Sequence, residues 1–263
     1  MRQVMVDERC EEAVILWETL SKFRLSSPSG GWFPELQDLS WNITESNHPY
    51  IGLFLSPHLK KISFNTPELW RGPEVPQDTL TAIASTISAL PVPPALQSLS
   101  IDFDRDVPSA CFTRSVSSVV LRCGPSLTEF ASTVPLSDAA VDHLIQLPHL
   151  RTWSIEGPLP NYSPSSLPLV FPSLTEFTID EDVQSGWISL LERLEGGISA
   201  TRGTTPLSRV KNSLTGLKIK PGPSGPVVDV PFTSKVQMFR GLVDLNFGSL
   251  CPGERWGANV PSG

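Results

Sequence analysis

The hexapeptide Pro-Ser-Leu-Thr-Glu-Phe occurs twice, at 125–130 and 172–177, and Pro-His-Leu-Arg-Thr-Trp stands between the copies at 148–153. The leucines Leu127, Leu150 and Leu174 fall 23 and then 24 residues apart. A fixed period constrains a fold more tightly than composition does, because each unit must bury its apolar face against the next. Extending the frame outward finds eight copies of Leu-x-x-apolar-x-apolar, starting at Leu36, Leu59, Leu96, Leu127, Leu150, Leu174, Leu214 and Leu242. Only Ser132 breaks the last apolar slot. Alternation in the second half of each unit is strand periodicity. Proline sits one or two residues ahead of most of the leucines, where it suits the start of a strand and not its interior.

Helical patterns lie between these strands. Leu80, Ile83, Ile87 and Leu90 share one face of a stretch with Asp78 as expected N-cap and Pro91 as its stop. Ser137, then Val141, Leu144 and Ile145, then Pro148 repeat the design. A third helix is expected over 182–197, ended by Gly196 and Gly197. A fourth is expected near the N-terminus, with Cys10, Val14, Trp17 and Leu20 as its stripe.

A strand and a helix every 23 to 40 residues is the composition of a leucine-rich-repeat solenoid. The expected class is therefore α/β: an irregular leucine-rich-repeat-like solenoid with parallel strands on a concave face and helices and loops on a convex one. The competing reading is a compact α/β domain whose strands share a proline–leucine start. Regular repeats of this type place Asn or Cys three residues after the last apolar slot. That slot here holds Thr44, Pro67, Asp104, Pro135, Pro158, Asp182, Gly222 and Leu250, so the ladder is missing and the array is degenerate. The expected organisation is an N-terminal helix and linker forming an incomplete cap over 1–29, about eight repeats over 30–250, and an unstructured tail over 251–263.

Net charge is −7 and the pI is about 5.1. That balance argues against nucleic acid or an anionic membrane as partner, since such proteins concentrate Lys and Arg. No apolar run is long enough to span a bilayer, and no export signal is visible, which points to a cytoplasmic or nuclear protein. The four cysteines show no paired spacing and read as reduced thiols. Sequons at Asn42 and Asn161 would matter only after secretion.

The search for chemistry returns little. Asp102, Asp104 and Asp106 have the spacing of a calcium loop, but Val107 holds its glycine position and Thr113 its closing glutamate position. The histidines His48, His58, His143 and His149 form no metal pair. No nucleophile elbow or phosphate-binding loop is present, so catalytic, cofactor and metal residues are all expected to be absent.

The stretches at 33–64, 117–130 and 135–153 resemble the repeat region of fungal, basidiomycete-type F-box proteins. The resemblance implies substrate recognition for an SCF-type ubiquitin ligase. It covers most of 30–250 and not the F-box, whose Leu-Pro opening and three-helix pattern are not seen. Binding to the ligase adaptor is then expected only through an F-box outside this chain. The expected function is a non-catalytic scaffold for a protein substrate of unknown identity. Alternatives are a truncated gene product and an α/β hydrolytic enzyme.

Alternation along each strand puts a polar set on the concave face. Its charged members are Asp38, Lys61, Asp102, Glu129, Glu156, Glu176, Asp180, Lys218, Lys220 and Asp244, and its continuation includes Thr133. Ser40, Ser63, Ser100, Ala131, Ser154 and Thr178 lie between them.

Overall fold

The computed structural model describes residues 3–6, 18–19, 33–66, 76–103, 109–155, 173–180, 216–220 and 244–246. Nine strands form one sheet in strict sequence order, and every neighbouring pair is parallel. They are β1 (Gln3–Val6), β2 (Asp38–Asn42), β3 (Lys61–Asn65), β4 (Ser98–Asp102), β5 (Glu129–Ser132), β6 (Thr152–Ile155), β7 (Glu176–Asp180), β8 (Gly216–Lys220) and β9 (Asp244–Asn246). All eight expected strands are present as β2–β9, each beginning two residues after its leucine. β1 was not expected; it pairs with β2 from within the segment read as helix and linker.

Three helices are described: α1 (Gln77–Ala89), α2 (Ser109–Val120) and α3 (Asp138–Gln146). A 3-10 turn, His48–Leu53, follows β2. Consecutive helices touch, α1 on α2 and α2 on α3. Their buried residues join those of the strands in a single apolar core, so the helices cover one face of the sheet. The strand contribution is Leu39 and Trp41, Ile62 and Phe64, Leu99 and Ile101, Phe130, Trp153 and Ile155, and Phe177. A strand order that never reverses has no switch point of the doubly wound kind.

The helix boundaries have local causes. Asp78 does not cap α1: the N-cap is Pro76, without a side-chain bond, and Asp78 lies within the first turn. A carboxylate there still favours the positive end of the helix dipole. Ser137 caps α3 as expected, accepting from the Ala140 amide. Both α1 and α3 stop at a Leu-Pro pair, and Leu90 and Leu147 are extended. Proline clashes with a helical residue before it and forces that conformation. α2 was not read from the sequence, although Phe112, Val116, Val119 and Val120 are all buried on one helical face. The helix expected over 182–197 lies outside the described residues, as does most of the one near the N-terminus.

The segments that end α1 and α2 are each tied to the unit that follows. Arg122, just past α2, donates to the carbonyls of Ser88 and Leu90 at the end of α1. His143 on α3 lies 2.9 Å from the Cys123 carbonyl, which its Nε2–H reaches. The Arg122 contacts satisfy carbonyls that a helix C-terminus leaves open.

The recurring hexapeptide is explained by the stacking. Ser126 and Ser173 donate to the carbonyls of Pro94 and Pro148 in the preceding unit, and Ser126 also reaches Leu96. Thr128 and Thr175 donate from their hydroxyls to the Gln97 and Arg151 carbonyls. The amides of residues 128 and 129 converge on the first of those oxygens, and those of 175 and 176 on the second. Leu127, Leu174, Phe130 and Phe177 are buried, while Glu129 and Glu176 are exposed. Ser, Leu, Thr, Glu and Phe therefore serve as clamp, core, clamp, open face and core. Ser132, the one polar residue in an apolar slot, is 3 % exposed and closes on itself, its hydroxyl donating to the Val134 carbonyl and accepting from the Val134 amide.

Candidate functional site

The face of the sheet away from the helices is the candidate binding surface. Register builds it in rows. The first row runs Asp38, Lys61, Ser98, Glu129, Thr152, Glu176, Gly216, Asp244, and the second Ser40, Ser63, Ser100, Ala131, Ser154, Thr178, Lys218, Asn246. The third is shorter: Asn42, Asn65 and Asp102 stand side by side, and Asp180 stands beside Lys220. Nine of the ten charged positions expected on this face thus lie on its strands in the expected register. Lys61, Asp102, Glu129 and Glu176 are exposed and Asp38 is half-buried. For Asp180, Lys218, Lys220 and Asp244 the description extends to backbone register. Glu156 lies outside the described residues.

Thr133 departs from expectation. β5 ends at Ser132, and the Thr133 hydroxyl turns to the previous unit, accepting from the Phe103 amide at 2.7 Å and lying 2.8 Å from the Phe103 carbonyl. It is a clamp between units and not part of the face.

From β2 to β7 the middle row is made of small side chains, so the floor there is shallow and the backbone approachable. Polar groups at its two described ends differ. Over β2 and β3, Ser63 donates to Asn65 Oδ1 at 3.3 Å and Asn65 Nδ2 reaches Asn42 Oδ1 at 3.4 Å, which ties this part of the face to itself. Over β5 to β7, Glu129 and Glu176 have no ion pair with a described residue.

Beneath the first unit lies a residue that the repeat frame missed. Asn47 is 0 % exposed. Its Oδ1 accepts from Trp41 Nε1 and from the Thr44 amide, both at 2.9 Å, and its Nδ2 donates to the Asn42 carbonyl at 2.7 Å. This is the work expected of the missing Asn slot, done six residues after the last apolar position. The signal was available in the Asn-His-Pro run that opens the 3-10 turn, since Asn bonds turn backbone readily. Glu45 and His48 then anchor this turn to α1 through Thr79 and Thr86.

Burial lowers the His48 pKa below the usual imidazole value, with Glu45 opposing in part. Burial raises that of Cys123 to about 12, with Arg122 opposing. The Cys123 thiol sits 3.5 Å from the Val119 carbonyl, and neither Cys111 nor Cys123 is in a disulfide. Between α1 and α2 an open groove of about 560 Å³ is lined by Thr81, Ala84, Ser85, Ser88, Ala89, Cys111, Arg114, Ser115 and Ser118. Among the described residues no three His, Cys, Asp or Glu side chains gather to hold a metal ion. No helix among them is long and apolar enough to cross a membrane.

These features define an α/β protein built on one parallel sheet, with helices on one side and a polar open face on the other. No family model, curated protein or solved structure matches the chain.

Proposed function

We propose that the chain is a protein-binding scaffold: a degenerate leucine-rich-repeat-like solenoid whose strand-lined face holds a segment of another protein. The observation that carries this reading is the strictly sequential parallel sheet, repeated in one frame, with one face in the core and the other left to small and polar side chains. Such a surface offers a wide area, which suits a polypeptide better than a small metabolite, the usual occupant of an enclosed pocket. The resemblance of 30–250 to the repeat region of fungal F-box proteins favours substrate recognition for an SCF-type ubiquitin ligase. The adaptor would be engaged only through an F-box outside this chain. The absence of aromatic and Arg residues from the described strand positions of the face favours modest affinity, since these side chains usually dominate interface energies.

The test is a pull-down from native cells scored for ligase subunits and substrates together, repeated with Ala131→Trp, which fills the floor of the face. Loss of a captured protein with the variant supports the reading. Undiminished capture by a folded variant overturns it.

A further inference from the structure

The open face is not uniform, and the spacing of its free carboxylates specifies what fits it. Glu129 and Glu176 occupy the same row on β5 and β7, with the uncharged Thr152 on β6 between them. Both are exposed, and neither forms an ion pair with a described residue. Neighbouring strands lie about 4.8 Å apart, so two strands separate the carboxylate positions by about 9.6 Å across the sheet. Beside them the second row presents Ala131, Ser154 and Thr178, whose small side chains let a peptide backbone come close.

A polyproline II helix repeats every three residues at about 3.1 Å each, so positions i and i+3 lie on one side about 9.3 Å apart. That period matches the carboxylate spacing. A β-strand does not offer the same match, because its residues i and i+3 point to opposite sides. Resting on the scaffold reading above, we infer that the β5–β7 part of the face takes a basic polyproline II segment running across the strands, with Lys or Arg at i and i+3 over Glu129 and Glu176. The β2–β3 part is a poorer seat, because its amides are already bonded to one another and Lys61 stands in the same row.

The probe is a fluorescein-labelled peptide of four Lys-Pro-Pro repeats, titrated with the full chain and read by anisotropy. Controls are a Glu-Pro-Pro peptide and one of identical composition with its lysines in a single block. The proposal expects binding of the Lys-Pro-Pro peptide that weakens with salt, as exposed ion pairs do. Glu129→Lys or Glu176→Lys should each weaken it several-fold, and the double reversal about tenfold or more. Circular dichroism and melting would establish that the variants fold, and Ser154→Trp stands in should Ala131→Trp fail to do so.

Equal binding of the blocked-lysine peptide, or indifference to the double reversal, overturns the inference. No binding of Lys-Pro-Pro while a natural partner is still lost with Ala131→Trp overturns this inference and leaves the scaffold reading intact. A natural partner unaffected by Ala131→Trp overturns both.

Discussion

The first units and the middle units of this sheet close themselves by different means. Around β2 a buried amide closes the turn locally, Asn47 bonding to Asn42, Trp41 and Thr44 within six residues, beside a Ser56 hydroxyl that donates to the Pro34 carbonyl. Around β5 to β7 the polar ties are clamps between units, with Ser126, Thr128, Ser173 and Thr175 reaching carbonyls 24 to 32 residues earlier. A buried amide fixes one turn, whereas a hydroxyl clamp fixes the register between two turns. Length does not separate the two kinds, since Leu36 to Leu59 and Leu127 to Leu150 both span 23 residues; what differs is the sequence, Asn47 in the first unit and the Ser-Leu-Thr triplet in the middle ones.

The largest expected effect comes from breaking the local plug. Asn47→Ala removes three well-formed hydrogen bonds at a fully buried site. Stranding buried polar groups costs about 1–3 kcal/mol each, so a loss of about 3–4 kcal/mol is expected in urea unfolding. A loss under about 1 kcal/mol would mean that water or a rearranged turn replaces the amide. Asn47→Asp keeps an acceptor for Trp41 but cannot donate to the Asn42 carbonyl, and should fall between.

The clamps should each matter less. Ser126→Ala and Ser173→Ala remove hydroxyls that are half exposed, so about 1 kcal/mol apiece is expected. The two sites belong to different units, so their effects should add to within about 0.5 kcal/mol. A marked excess in the double variant would show that the middle units stack cooperatively and would sharpen the contrast with Asn47.

Arg122→Ala tests the helix side of the same comparison. The guanidinium joins α2 to the last carbonyls of α1, but in an exposed setting. A cost of about 1 kcal/mol is expected, with Arg122→Lys recovering only part of it because one ammonium cannot reproduce the fork to Ser88 and Leu90. Full recovery by lysine would show that charge at the helix end matters more than the paired geometry.

The contrast also marks what could be read from the chain beforehand. Strand positions were legible because the anchor leucine and the two-residue alternation are local and repeat without change, from Asp38 after Leu36 to Asp244 after Leu242. β1 was not, because Gln-Val-Met-Val carries no leucine two residues before it. α2 is illegible for a different reason: Ser115, Ser117 and Ser118 interrupt its apolar stripe, and the aspartates ahead of it have the spacing of a calcium loop. Two of those serines are buried, and the Ser117 hydroxyl accepts from the Ser137 amide. Hydroxyls used internally look, in sequence, like solvent-facing ones. The same ambiguity governs the open face. Alternation placed its members correctly, but whether Asn42 and Asn65 bond to each other or Glu129 stays free depends on neighbours from other units.

The smallest expected effect concerns His48, where the first unit meets α1. The Thr86 hydroxyl donates to the Ala82 carbonyl, so its oxygen accepts from His48 Nδ1–H. Neutral and protonated imidazole can both make that bond, and protonation does not break it. What it costs is desolvation, since burial lowers the folded-state pKa below the ordinary 6.5. The unfolded chain then binds more protons in the window just below that value. Stability should therefore be free of this penalty above about pH 7 and fall as the pH drops through 6.5 to the lowered folded value. His48→Gln retains a donor toward Thr86 and removes the titration, so the wild type should lose stability relative to it between about pH 7.5 and 5. Glu45 moderates the effect by attracting the imidazolium, and Glu45→Gln should deepen the loss. The imidazole is only half-buried, so solvent screening holds the difference to about a few tenths of a kcal/mol. Parallel pH profiles for wild type and His48→Gln would show that the junction between the first unit and α1 is as indifferent to protonation as the hydroxyl clamps of the middle units.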